Sequence, residues 1–97
     1  MSIIEELQTV LIERKINPRE GSYTTMLLAN EEELVKKVGE EAVEVILAAV
    51  KQGNERLISE TADLVYHLLV LLTAHDVVWA DVETELEGRR GSKVKEK

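Results

Sequence analysis

The sequence predicts an all-α protein built on one helical hairpin, about residues 31–51 and 55–74, with short flanking helices. Three observations carry that expectation. Apolar residues recur at helical spacing through both arms, and no stretch shows the alternation of a strand. Ser2 with Glu5, and Asn30 with Glu33, are capping pairs three residues apart. Gln52-Gly53-Asn54 is a short polar break between the arms, with Gly53 where a post-helical glycine belongs.

Ser2 and Glu5 open a first helix with Ile3, Ile4, Leu7, Val10 and Leu11 as its apolar stripe. It is expected to stop near Lys15, because Asn17-Pro18 follows and a residue before proline is pushed out of the helical region. Ser22 can cap a short second helix from Tyr23 to Ala29. Ser22, Tyr23 and Thr24 can also contact a ligand, but pattern alone favours a cap with solvated hydroxyls.

In the first arm Leu34, Val35, Val38, Ala42, Val45, Ile46 and Ala49 share about a third of the helical wheel. Glu41 lies at the edge of that stripe, Glu44 further round beside Lys37, and Glu40 further out. Gly39 is costly in a helix interior, by about 1 kcal/mol against alanine, which suggests a close packing approach. Asn54 is expected to cap the second arm. That arm is apolar almost all round, so it is expected to be buried almost all round. Its polar seam is Glu60, Asp63 and His67. His75-Asp76 marks a turn, and a last short helix covers about 80–87. Residues 1–87 read as one domain, and 88–97 as a basic, flexible tail.

Composition narrows the function classes. Ninety-seven residues with 44% hydrophobic content suit one globular domain, and with only Tyr23, Tyr66 and Trp79 as aromatics its core must be aliphatic. Two long helices and a few short ones cannot by themselves wrap the second arm. A homodimer with a four-helix-bundle core is therefore expected. The formal charge of −7 speaks against a nucleic-acid partner, which wants a basic face. It leaves room for a nucleotide, since a divalent metal reverses the local sign. With no cysteine there is no disulfide framework and no thiolate site. No basic and apolar leader and no long uninterrupted apolar run stand out, so the expectation is a cytoplasmic protein with no membrane partner.

The chemistry lies in four carboxylates. Glu41 and Glu44 form one pair three residues apart, Glu60 and Asp63 another, with fifteen residues between the pairs. In a hairpin Glu44 then faces Glu60 and Glu41 faces Asp63, since the numbers of each pair sum to 104. Four negative charges at one level repel strongly unless protonated or bound to a cation. Mg²⁺ takes oxygen ligands and leaves positions for waters and phosphates. The reaction class that follows is hydrolysis of a phosphoanhydride by a metal-activated water. Arg14, Lys15, Lys36 and Lys37 can meet phosphate, although lysines and arginines are usually solvated. His67, one turn after Asp63, can order a carboxylate, face phosphate or be structural. A di-iron or di-manganese bundle is disfavoured because Tyr66, not histidine, stands three residues after Asp63.

Glu41-x-x-Glu44 and Glu60-x-x-Asp63 resemble the metal signature of the all-α nucleotide pyrophosphohydrolase superfamily, the MazG and dimeric dUTPase group. Glu13-Arg14-Lys15, Ser22-Tyr23-Thr24 with Leu27-Leu28, Lys37 to Glu44 and Glu60 to Leu71 resemble the phosphoribosyl-ATP pyrophosphatase family of histidine biosynthesis. The similarity spans about residues 5–87. It implies hydrolysis of phosphoribosyl-ATP to phosphoribosyl-AMP and pyrophosphate, Mg²⁺ held by Glu41, Glu44, Glu60 and Asp63, and a homodimer. Glu40 matches the family text, with the roles of base, outer ligand and surface residue all open. The metal signature by itself also suits a house-cleaning pyrophosphatase of another nucleoside triphosphate. Outside enzymes, a helical dimerisation module with a vestigial acidic seam is the alternative.

Overall fold

The computed structural model describes residues 2–90. Five α-helices follow one another: α1 Ile3–Ile16, α2 Tyr23–Ala29, α3 Glu31–Leu47, α4 Asn54–Ala74 and α5 Trp79–Arg89. A π-helical turn, Ala48–Gln52, ends the first arm before the loop. No strand occurs among the described residues.

Three predicted caps form as expected. The Ser2 hydroxyl accepts from the Glu5 N–H, and the Glu5 carboxylate accepts from the Ser2 N–H at 3.0 Å. The Ser2 N–H holds the Glu5 carboxyl below its ordinary pKa. The Ser22 hydroxyl accepts from the Thr25 N–H, and the Asn30 carbonyl oxygen from the Glu33 N–H, both at 3.1 Å. The cap predicted at Asn54 does not form. Asn54 is the first residue of α4, and Gly53 precedes it at φ 88° and ψ 171° without a side-chain bond. That backbone conformation is open to glycine and strained for other residues.

The core is aliphatic: Leu11, Leu27, Leu34, Leu69 and Val70 are buried together. One residue comes from each of α1, α2 and α3, and two from α4, which is the helix the others pack around. By length and composition α4 is long and apolar enough to cross a membrane, at 21 residues and a mean hydropathy of 1.4. Here it is the central helix of the packing and buries Glu60 and His67.

Burial departs from the sequence expectation in three places. The α3 stripe is wider than the chain itself can cover: Leu34 is buried, but Val35, Ile46 and Ala49 are exposed. The α4 helix is buried near its C-terminal end and open near its start, where Ile58 and Ala62 are exposed. In α1, Ile3 and Val10 of the predicted stripe are exposed, while polar Gln8 is buried.

Gln8 is inside because it ties three elements together. Its amide nitrogen donates to the Thr73 hydroxyl and the Val77 carbonyl, and its carbonyl oxygen accepts from the Trp79 N–H at 2.6 Å. Those bonds fasten α5 to α1 and to the end of α4. The end of α4 is built on Asp76, at φ 59°. The Val77 N–H reaches the Leu72 carbonyl and the Asp76 N–H the Thr73 carbonyl. This is a Schellman closure with aspartate in the left-handed position usually held by glycine. The α5 helix then runs from Trp79 to Arg89, beyond the predicted 80–87 and through the Gly88 at which the tail was expected to begin. Residues 91–97 of that tail lie outside the described residues.

Candidate active site

The hairpin brings three of the four predicted carboxylates together. One oxygen from each of Glu41, Glu60 and Asp63 lies within 4.8 Å of the others. Glu41 is half-buried on α3, Glu60 is buried on α4, and Asp63 is exposed one turn further along α4. The expectation that both α4 acids are buried therefore holds for Glu60 only. Glu44 is half-buried one turn beyond Glu41 and stands outside that group of three. The π-helical turn lies between the loop and both glutamates, so it shifts their register together.

Two cations flank the acids. The Lys37 ammonium is 3.5 Å from Glu41 and 3.6 Å from Glu40. Arg56 donates to Glu60 at 2.5 Å. Burial lowers the Lys37 pKa, but Tyr23, Glu41 and Glu40 outweigh it and leave the ammonium above its ordinary value. Glu40 is exposed on the outer side and pairs only with Lys37 among the described residues.

The α2 helix closes one side of this region. The Tyr23 hydroxyl is 2.9 Å from His67 Nε2, and the Thr24 hydroxyl bonds the Tyr66 hydroxyl. His67 Nδ1 lies 2.7 Å from the Asp63 carbonyl, which can only accept, so Nδ1 carries the proton. In the neutral ring Nε2 then accepts from Tyr23. Of the open readings for His67, the structure shows a buried bridge between α2 and α4. It touches the backbone of Asp63, not its carboxylate. Burial pushes the Tyr23 hydroxyl above its ordinary pKa, with Tyr66, Glu41 and Glu33 adding to the effect and Lys37 opposing it.

The remaining candidates separate. Arg14 donates to the Ser22 hydroxyl at 3.1 Å, behind α2, and its Nε is buried without a partner among the described residues. Lys15 is not with the acids at all. Its ammonium donates to the Thr73 and Ala74 carbonyls and to Asp76 at 2.7 Å, capping the end of α4. Ten residues of helix from Asp63 to Thr73 span about 15 Å. The adjacency of Arg14 and Lys15 hid this, since neighbours on a helix point about 100° apart. His75, at the turn that follows α4, is exposed and 2.6 Å from Glu31. Arg56 escaped notice in the sequence, although its spacing of four from Glu60 was the available signal.

The donor set suits a hard divalent cation: all oxygen, clustered, partly buried, and carrying more negative charge than its two basic neighbours balance. A family model described as phosphoribosyl-ATP pyrophosphohydrolase matches residues 4–90. The chain belongs to the phosphoribosyl-ATP pyrophosphohydrolase family. Its match to that family includes all five helices, except the first residue of α1. Curated relatives agree. The phosphoribosyl-ATP pyrophosphatase of Methanocella arvoryzae is 41% identical over 91 residues, covering 91% of this chain and 96% of that one. The phosphoribosyl-ATP pyrophosphatase of Leuconostoc mesenteroides is 50% identical over 91 residues, covering 93% and 79%. A longer relative, the histidine biosynthesis bifunctional protein HisIE of Pyrococcus furiosus, is 48% identical over 91 residues, with 42% of its length covered.

Proposed function

We propose that this chain hydrolyses phosphoribosyl-ATP to phosphoribosyl-AMP and pyrophosphate, as a Mg²⁺-dependent homodimer of histidine biosynthesis in the cytoplasm. The observation that carries the chemistry is the meeting of Glu41, Glu60 and Asp63 across the hairpin of a family member. The substrate follows from the names of the relatives.

Glu41, Glu60 and Asp63 would hold the cation, with Glu44 as the fourth ligand from the next turn of α3. When bound, Mg²⁺ supplies neutralisation of phosphate charge and activation of a water. The chain's own groups do the rest. Lys37 pairs with the Glu41 carboxylate and presents its ammonium toward the same region for a phosphate. Tyr23, Thr24, Tyr66 and His67 fix α2 against α4, so the open face of the hairpin has one wall in a set position. Arg14 and Ser22 secure that wall from behind. Glu40, exposed and paired with Lys37, acts through that lysine.

The homodimer is supported by what the chain leaves uncovered. Val35, Gly39, Val43 and Ile46 fall within about 80° of the α3 wheel, on the side away from Glu41. Val43 is 53% exposed and Ile46 60%. No heavy atom of the described residues lies within 4 Å of a Cβ built on Gly39, so the close packing expected there finds no partner among them. A second copy laid against this stripe would supply one.

The test offers phosphoribosyl-ATP and a set of nucleoside triphosphates to the protein with Mg²⁺, and again with excess EDTA. Pyrophosphate released from phosphoribosyl-ATP, and abolished by EDTA, is the expected result. Release only from a simple triphosphate would overturn the substrate, and no release from any would overturn the activity.

A further inference from the structure

Each arm of the hairpin carries a basic residue one turn before its acid: Lys37 before Glu41 on α3, and Arg56 before Glu60 on α4. Because the arms are antiparallel, these cations stand at opposite ends of the acidic cluster. Arg56 is on the side nearer the π-helical turn, and Lys37 on the side away from it. The Arg56 pair is unusual in its burial. The Glu60 side chain is 9% exposed, whereas the Arg56 side chain is 55% exposed. A carboxylate buried without a partner is costly, so Glu60 needs either this guanidinium or a metal. Arg56 reaches inward from solvent, and Glu60 is its partner among the described residues. Among those residues nothing else anchors it, and its planar fork matches phosphate as well as it matches carboxylate.

We propose that Arg56 is an exchange residue for the polyphosphate substrate. It neutralises Glu60 while the site is without a divalent cation. Once a cation holds that carboxylate, the guanidinium turns to a phosphate oxygen at the end of the site opposite Lys37. This inference rests on the metal reading above. It adds a substrate contact that the i,i+4 geometry alone would class as a surface ion pair.

The test uses the full chain with Arg56→Gln and Arg56→Lys. Mn²⁺ binding is followed by electron paramagnetic resonance without substrate, and KM and kcat are then measured with phosphoribosyl-ATP. In Arg56→Gln, Mn²⁺ should bind about three- to tenfold tighter, because the internal competitor for Glu60 is gone. Its KM should rise about tenfold while kcat changes less than about threefold. Arg56→Lys should recover KM only in part, since an ammonium lacks the fork. It also keeps the charge beside Glu60, so the KM arm stays readable if Arg56→Gln folds poorly. Unchanged Mn²⁺ affinity or unchanged KM in Arg56→Gln would overturn the exchange. Wild-type protein that takes up no Mn²⁺ would overturn the metal reading, and the exchange with it.

Discussion

His67 Nε2 and the Tyr23 hydroxyl lie 2.9 Å apart and join α4 to α2 across 44 positions of chain. With the Thr24–Tyr66 bond beside it, this contact makes the short α2 helix a fixed wall of the acidic site. An isolated seven-residue helix has too few hydrogen bonds to stand without such contacts.

Tyr23→Phe should therefore lower stability by about 1 kcal/mol near neutral pH, the net worth of one such bond. The Tyr23 pKa is raised in the folded protein, so its neutral hydroxyl stabilises fully below the unfolded value of about 10. That contribution is lost as pH rises through the folded pKa. The gap between wild type and Tyr23→Phe should then narrow above about pH 10. Thermal unfolding from neutral to alkaline pH checks it, and a gap constant across that range would contradict it.

Replacing Gln8 by Leu keeps the volume and removes every polar partner. The Thr73 hydroxyl would lose a donor, the Val77 carbonyl its donor, and the Trp79 N–H its acceptor. A loss of about 2 to 4 kcal/mol is expected, with α5 loosened first. Urea unfolding gives the magnitude, and hydrogen exchange at Trp79 gives the location.

Lys15→Met should destabilise by about 1 to 3 kcal/mol, because three acceptors at the end of α4 lose a charged donor. The KM for substrate should stay within about twofold of wild type, since the Lys15 partner Thr73 is about 15 Å along α4 from Asp63. A large rise in KM with stability unchanged would place this lysine at the phosphate instead.

Glu41→Gln and Asp63→Asn should each abolish most Mg²⁺-dependent turnover while retaining the helical fold. In EDTA these variants should be as stable as wild type or more so, because a like charge has been removed from a crowded cluster. Melting curves with EDTA and with Mg²⁺ separate the two effects: wild type should gain stability from the cation and the variants should not.

Ile46→Glu, on the exposed α3 stripe, should leave the chain helical and convert a dimer into monomers. Light scattering at micromolar concentration reads the mass directly. Wild type measured as a monomer would contradict the homodimer.

Much of this protein is readable from its sequence because the determining interactions are local. Capping at Ser2, Ser22 and Asn30 involves residues three positions apart, and helical periodicity needs only one turn of chain. The pairing of Glu41 with Asp63 is long-range, yet a hairpin with one short break fixes it by counting. The same count pairs Glu44 with Glu60, and there the structure differs: Glu44 stands outside the group of three.

What the sequence by itself determined is the helical class, the hairpin, and which acidic residues the hairpin brings together. Only the tertiary structure decided which side chains are used elsewhere. Lys15 left the acids because it found the orphan carbonyls of α4, and Gln8 went inside because three distant polar groups met there. Of the α4 acids, Glu60 is buried and Asp63 exposed. The arginine on Glu60 is local by contrast, since Arg56 stands four residues before it and Ser59 four before Asp63. The four carboxylates are legible as a pattern; their burial depends on contacts between residues far apart in the chain.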